Sequence, residues 1–102
     1  MSLRNQIYPP TNTIAVDVDG TLHTNRIVNQ RVVDFCEQQK KAGFTLNLWS
    51  ARGKGYAEQA AGNFGVVSLF DDIISKPGYI LDDLGWSWIE YTRIIRSLEG
   101  PL

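Results

Sequence analysis

Residues 13–21 read TIAVDVDGT, and both the fold and the site can be inferred from this stretch. Its apolar run is typical of a β-strand, which the turn residues Gly20 and Thr21 bring to an end. Successive strand residues point to opposite faces, so Asp17 and Asp19 are expected to project the same way at the strand's carboxyl end. Two carboxylates this close repel each other unless a cation or a shared proton relieves the charge. The stretch therefore indicates a functional site. The alternative is an ordinary aspartate-rich turn after a strand.

Three further predicted strands also end in polar or charged residues, and this pattern argues against an ordinary turn. In chain order these residues are Ser50 with Arg52, then Lys76, then Asp82 with Asp83. The carboxyl ends of parallel strands meet at one edge of a sheet, and ligands of such folds bind beyond that edge. We therefore expect all four clusters to lie there.

Hydrophobic periodicity predicts strands that alternate with helices. The predicted strands cover residues 13–18, 44–49, 72–74 and 79–81. Three helices are predicted. The first is capped by Asn29 and runs to about Ala42, and the third runs from Ser87 to Leu98. The second has Ala57, Ala60, Ala61 and Phe64 on its inner side. Residues 22–28 are expected to form a short hairpin or an irregular loop. The nearly continuous apolar run of the first strand predicts that both of its faces are covered. The pattern is typical of an α/β domain with a mainly parallel sheet.

Composition limits the classes of protein to which the chain can belong. A chain of 102 residues has the size of one domain, so residues 1–102 are expected to form a single domain. The formal net charge of −1 gives no general basic field, so binding to long nucleic acid is not supported by charge. No stretch is long and apolar enough to predict a membrane span. Cys36 is the only cysteine, which excludes an intrachain disulfide and predicts a cytoplasmic protein in which Cys36 is buried.

The side chains at the four strand ends together describe a site for phosphoryl transfer. Carboxylates can hold a metal ion, and Mg²⁺ suits a site made only of oxygen atoms. The hydroxyl group of Ser50 and the cations of Arg52 and Lys76 can bind an anion, and a spare carboxylate can act as acid and base. An acid cluster without cations would predict only metal binding.

The four clusters resemble, in their order, the four motifs of the haloacid dehalogenase superfamily. These are Asp17-x-Asp19-Gly20-Thr21, then Ser50, then Lys76-Pro77, then Asp82-Asp83. The resemblance covers residues 13–83, and its first motif is the most diagnostic. Ser-Ala-Arg-Gly at residues 50–53 and Lys-Pro before Asp-Asp are similar to the short, capless, phage-associated hydrolases of that superfamily. The resemblance implies a Rossmann-like three-layer domain without a cap domain, and a magnesium-dependent phosphatase.

The resemblance also implies a role for each matching residue. Asp17 is the nucleophile that takes the phosphoryl group as an aspartyl-phosphate, and Asp19 protonates the leaving oxygen and then activates water. Physical chemistry agrees with this division, because two bare anions side by side are disfavoured and the second carboxylate can carry a proton. Ser50 and Lys76 bind the phosphoryl oxygens.

Supporting roles follow from the same resemblance. Thr21 supports the loop, and Arg52 reaches the leaving group or a second phosphate. Lys54 is the alternative to Lys76 as the phosphate-binding cation, because only five residues separate Lys76 from Asp82.

The Mg²⁺ ligands implied by the resemblance come from the first and last motifs. They are a carboxylate oxygen of Asp17, the backbone carbonyl of Asp19 and one acid of the last pair, for which Asp82 is preferred. Asp83 would then bind through a water molecule.

The segments where cap domains could be inserted are too short to hold one. A site without a cap is open to solvent, which favours either a bulky phosphorylated substrate or a homo-oligomer that lends a lid. Specificity in the superfamily usually resides in the cap, so the sequence leaves the substrate open.

Two other classes of function remain as alternatives. A phospho-receiver module uses similar residues, but it carries its acid pair on the first strand and its acceptor aspartate on the third, which is the reverse of the order here. A non-catalytic protein of the same fold that binds metal or phosphate is the second alternative. His23 is expected to be a surface or flap residue rather than a metal ligand, since the chain has no second histidine.

Overall fold

The computed structural model describes residues 9–96 and residue 98, which divide into two units. The larger unit, residues 12–78, holds all the strands and both α-helices of the described part of the chain. The smaller unit combines the described residues before position 12 with those after position 78. No helix within these described residues has the length and apolar character required to cross a membrane.

A three-stranded parallel sheet forms the centre of the larger unit. Its strands are β1 (Thr13–Asp17), β4 (Thr45–Ser50) and β5 (Asp72–Ser75), in the order β1-β4-β5. Helix α1 (Gln30–Lys41) joins β1 to β4, and helix α2 (Lys54–Asn63) leads towards β5. The prediction of an α/β domain with a parallel sheet is therefore confirmed for this unit.

The core lies on one face of the sheet. Ile14, Val16, Leu46 and Leu48 alternate along β1 and β4 and are buried, with Leu46 and Leu48 at 0% exposure. The expectation that β1 is covered on both faces is wrong, because Thr13 and Ala15 on the opposite face are exposed. Two right-handed crossovers that step in the same direction along a sheet place both helices on the same face.

A small hairpin separates β1 from α1, as the sequence predicted. Strands β2 (His23–Thr24) and β3 (Ile27–Val28) pair in antiparallel register around a two-residue turn. The turn residues, Asn25 and Arg26, have φ values of 50° and 65°, as a type I′ turn requires at both central positions. The hairpin thus brings the chain back from the sheet edge to the start of α1.

Helices α1 and α2 form where the sequence predicted them, although one cap differs. Asn29 occupies the N-cap position of α1, but its side chain makes no capping hydrogen bond. The amide group instead donates to the carbonyl oxygen of Thr21 at 2.7 Å, which ties the helix start to the preceding loop. Helix α1 buries Val33, Phe35 and Cys36 against the core. Helix α2 turns three alanines inwards, Ala57, Ala60 and Ala61.

The two elements predicted after position 78 do not form. Residues 79–81 are not a strand, and the side chains of Tyr79 and Leu81 are exposed. The predicted final helix is replaced by a short 3-10 helix, Gly85–Tyr91. An apolar triplet is too short to specify a strand. The last segment is rich in aromatic and β-branched residues, which lose side-chain freedom in an α-helix and favour it only weakly.

Candidate active site

Asp17 and Lys76 form an ion pair at the carboxyl edge of the sheet. Asp17 is the last residue of β1, and Lys76 directly follows β5. These strands lie on either side of β4, so they are about 10 Å apart. The Lys76 side chain spans this gap, with Nζ 5.6 Å from the centre of the Trp49 ring and 3.0 Å from Asp17 Oδ1. Both charged side chains are partly exposed, so the pair remains open to a ligand.

The sheet register explains why the two residues meet. Asp17, Trp49 and Ile74 are aligned across the three strands and share one face. Lys76 lies two residues beyond Ile74, and its backbone N–H donates to the carbonyl oxygen of Ser50 at 2.9 Å. The backbone thereby fixes Lys76 at the end of β4, within reach of Asp17.

Asp19 has a separate set of partners. The chain turns at Val18, so the strand alternation that predicted a common direction for the two aspartates ends before Asp19. The hydroxyl group of Tyr56 donates to Asp19 Oδ1 at 2.5 Å, and His23 Nε2 lies 3.1 Å from the same oxygen. Arg52 approaches the other carboxylate oxygen at 3.6 Å. Asp17 is paired with Lys76 instead, so each aspartate has its own network.

These contacts favour the ionised form of Asp19. The hydrogen bond from Tyr56 lowers the pKa of the Asp19 carboxyl group, with further contributions from Arg52 and His23. The same hydrogen bond raises the pKa of the Tyr56 hydroxyl. Donors rather than a second bare anion surround Asp19 in the free protein, and its ability to carry a proton during the reaction stays a prediction.

The hydrogen bonds of His23 define its neutral form. The backbone N–H of Arg26 donates to Nδ1 at 3.2 Å, so this nitrogen carries no proton. The proton of the neutral ring is then on Nε2, which donates it to Asp19. The ring also contacts Phe64, with 5.2 Å between centroids. His23 thus lies in a flap-like hairpin, as expected, but it also orients Asp19, which the sequence did not indicate.

Ser50 and Arg52 lie at the carboxyl end of β4. Ser50 is the last residue of β4 and is 3% exposed, and its Oγ accepts a hydrogen bond from the backbone N–H of Arg52 at 3.0 Å. The hydroxyl hydrogen of Ser50 can still be donated to a ligand. The guanidinium group of Arg52 lies 3.9 Å above the centre of the Tyr56 ring. Arg52 is therefore held beside Asp19.

The remaining candidates near the sheet edge have structural contacts. Thr21 contributes to the loop through its backbone carbonyl, which accepts the hydrogen bond from Asn29. Lys54 is exposed, and its backbone N–H donates to Ser75 Oγ at 2.8 Å. Of the two candidate lysines, Lys76 is the one that contacts Asp17.

Asp82 and Asp83 belong to the smaller unit. Asp82 does not follow a strand, and it organises a turn in which its Oδ1 accepts the backbone N–H of Leu84 at 2.8 Å. Its carbonyl oxygen accepts a hydrogen bond from the N–H of Gly85 at 3.2 Å. The contribution of Asp82 or Asp83 to a metal site stays a prediction.

The chemistry of the available donors fits Mg²⁺. Proteins usually bind this ion through one or two carboxylates, with water and substrate phosphate completing its coordination. The larger unit provides two carboxylates at one sheet edge, from Asp17 and Asp19, and both are partly or fully exposed. Over residues 9–96 and 98, no three His, Cys, Asp or Glu side chains are grouped as a metal site.

The sequence did not identify Tyr56 as part of the site. Its position in the first turn of α2 could have indicated a place in the site. This turn directly follows the loop after β4 and therefore returns to the carboxyl edge of the sheet. The residues predicted for the site after β4 end at Lys54, two residues before Tyr56.

An open cleft of about 870 Å³ adjoins Asp19 and does not include Asp17. The hairpin forms one wall and α2 forms the other. Its lining consists of Asp19, Gly20, His23, Thr24, Asn25, Arg26, Arg52, Tyr56, Gln59, Ala60, Asn63 and Phe64. We call it the Asp19 cleft. Its lining carries two positive side chains and one negative one.

Comparison of the chain with known protein families, curated proteins and solved structures finds no match.

Proposed function

We propose that the protein is a magnesium-dependent phosphomonoesterase of the haloacid dehalogenase type, with a Rossmann-like core and no cap domain. The observation that carries the proposal is the 3.0 Å ion pair between Asp17 and Lys76 at the carboxyl edge of a parallel sheet. A carboxylate fixed beside a cation is suited to attack a phosphoryl group, because the cation binds the phosphoryl oxygens as the bond forms. Asp19, two residues later, supplies a second carboxylate.

In the first step, a carboxylate oxygen of Asp17 attacks phosphorus and the bond from phosphorus to the ester oxygen breaks. The leaving oxygen takes a proton from Asp19. The free carboxyl group of Asp19 is ionised, but a phosphate dianion placed beside it raises its pKa and favours uptake of that proton. Lys76 and Ser50 bind the transferring oxygens throughout.

In the second step, water attacks the aspartyl-phosphate. Asp19, now ionised, accepts a proton from this water, and the bond from phosphorus to Asp17 breaks. Inorganic phosphate leaves, Asp19 gives its proton to solvent, and both aspartates return to their starting state. Mg²⁺, held by Asp17 and the backbone carbonyl of Asp19, would offset the negative charge of the bound phosphate.

Access to the proposed site favours large substrates. A hairpin of two short strands occupies the segment after the first motif, and α2 occupies part of the segment after Ser50. Neither segment contains an inserted domain among the described residues. We infer a bulky phosphorylated substrate, or a second copy of the chain that covers the site.

Phosphate release from a small aryl phosphate tests the proposal. The assay compares samples with Mg²⁺ and with chelator, and compares wild type with Asp17→Asn. Asp34→Asn is the matched control, because Asp34 is exposed on α1 and its carboxylate accepts a hydrogen bond from Gln30. We expect turnover that requires Mg²⁺ and Asp17 and is unchanged in the control. Binding of Mg²⁺ or phosphate by a folded protein without any turnover would favour the non-catalytic alternative.

A further inference from the structure

The Asp19 cleft contains an arginine at a position where glycine is usual. Arg26 is the second central residue of the hairpin turn, where type I′ geometry requires a positive φ and glycine is strongly preferred. Arg26 adopts a φ of 65°, which is unfavourable for a residue with a long side chain. Strained residues of this kind cluster at ligand sites, where the side chain offsets the backbone cost.

The side chain of Arg26 is available to a ligand. It is exposed on the cleft wall, and among the described residues no carboxylate lies within ion-pair distance of it. Arg52, the other cleft arginine, already faces Asp19 at 3.6 Å. The cleft lining holds two arginines and one carboxylate, so its arginines bring one positive charge more than that carboxylate offsets.

The turn is also connected to the proposed catalytic acid. The backbone N–H of Arg26 donates to His23, and His23 donates to Asp19. A ligand that contacts Arg26 therefore lies in the cleft that adjoins Asp19, whose lining does not include Asp17 or Lys76. In the proposed reaction, Asp19 protonates the leaving oxygen, so the leaving group extends into this cleft.

We propose that the Asp19 cleft binds the leaving group of the substrate, and that Arg26 selects leaving groups that carry a second anionic group. This inference rests on the proposed phosphatase function. The substrate class is a phosphomonoester with a carboxylate or a further phosphate on its alcohol part. Arg26 binds the anionic oxygens by charge-assisted hydrogen bonds, and Asn25, Gln59 and Asn63 offer amide groups to the polar body of the leaving group.

Two aryl phosphates of nearly equal size test this selection. Para-carboxyphenyl phosphate carries the second anionic group, and para-carbamoylphenyl phosphate is its neutral counterpart. The measured quantity is the ratio of kcat/KM for the two esters. We expect the wild type to prefer the anionic ester by about tenfold, the effect of one charge-assisted contact.

Arg26→Gly should bring this ratio to about one. Glycine relieves the strained turn, so the variant should melt no lower than wild type, which separates lost recognition from lost folding. Lys41→Gln removes the same charge from an exposed position in the last turn of α1 that is not part of the cleft lining, and should keep the preference. A wild-type ratio of one, or a preference that persists in Arg26→Gly, would overturn the inference.

Failure of the phosphatase proposal gives a different result. If neither ester is hydrolysed, calorimetry measures the affinities of wild type and Arg26→Gly for both esters. Tighter binding of the anionic ester that depends on Arg26 would support an anion site without phosphatase activity. Equal affinities, or no binding of either ester, would exclude the site.

Discussion

Replacement of Lys76 by methionine separates the role of the Lys76 charge in catalysis from its contribution to folding. Methionine keeps much of the apolar stem that lies near Trp49 but removes the charge. At 3.0 Å and an effective dielectric constant of about 20, the attraction between Lys76 and Asp17 is about 5 kcal/mol before desolvation is considered. Each side chain is 36% exposed, so water screens the pair and its net contribution to folding should be about 1 kcal/mol or less.

The expected effect of Lys76→Met on catalysis is much larger. A preorganised donor to the charged transition state typically contributes a factor of about 10² to 10³ in kcat. We therefore expect kcat for an aryl phosphate to fall at least a hundredfold, about 3 kcal/mol, while the free energy of unfolding changes by about 1 kcal/mol or less. Initial rates at saturating Mg²⁺ and urea denaturation measure the two quantities on the same samples.

Lys54→Met is the matched control for this experiment. Lys54 is exposed in the first turn of α2, and its contact with Ser75 is made by the backbone N–H, which the substitution retains. We expect its kcat to remain within about twofold of wild type, as for other surface substitutions. The reasoning would be refuted if Lys54→Met lost as much activity as Lys76→Met, or if Lys76→Met retained most of its activity while folded.

Three further experiments test other parts of the structure. Tyr56→Phe removes the shortest hydrogen bond to Asp19 and should raise the pKa of this carboxyl group, measured by carbon NMR titration; an unchanged titration would contradict the hydrogen bond. Burial raises the pKa of the Cys36 thiol from 9.0 to about 11, so its contribution to stability is complete below pH 9 and is lost as the pH rises to 11. Relative to Cys36→Ala, wild type should lose up to about 2 kcal/mol of unfolding free energy over this range, and parallel pH curves would contradict burial of the thiol. Leu48→Ala should cost about 2 to 5 kcal/mol in urea denaturation because Leu48 is fully buried on the central strand, whereas Ile27→Ala at 72% exposure should cost at most about 0.5 kcal/mol; equal costs would place the core elsewhere.

The elements predicted from the sequence are those whose signals are local. The alternating or continuous apolar runs of β1 and β4 and the alanine stripe of α2 each determine their structure over a few residues. The prediction failed after position 78, where an apolar triplet and an aromatic-rich stripe have no intrinsic preference strong enough to decide between strand, helix and irregular chain. In such segments, tertiary contacts determine the conformation.

Only part of the site could be predicted from the sequence, and the reason is related. Chain order indicates which strand ends lie at one edge, and this was enough to bring Asp17 and Lys76 together. It does not indicate which helix turn faces a loop, so the contacts of Tyr56 and His23 with Asp19 were not anticipated. Their hydrogen bonds also lower the pKa of Asp19, because pKa depends on the donors around a carboxylate as well as on its nearest acid.

Direct detection of a phosphoryl group on Asp17 tests the central claim most directly. The Asp19→Asn variant with para-nitrophenyl phosphate suits this measurement, because nitrophenolate leaves without a proton whereas hydrolysis of the aspartyl-phosphate needs a base. After an acid quench, peptide mass spectrometry should find the phosphoryl group on Asp17, together with a burst of nitrophenolate that approaches one equivalent of protein. Nitrophenolate release that leaves Asp17 unmodified, or a phosphoryl group on another residue, would contradict the proposed mechanism.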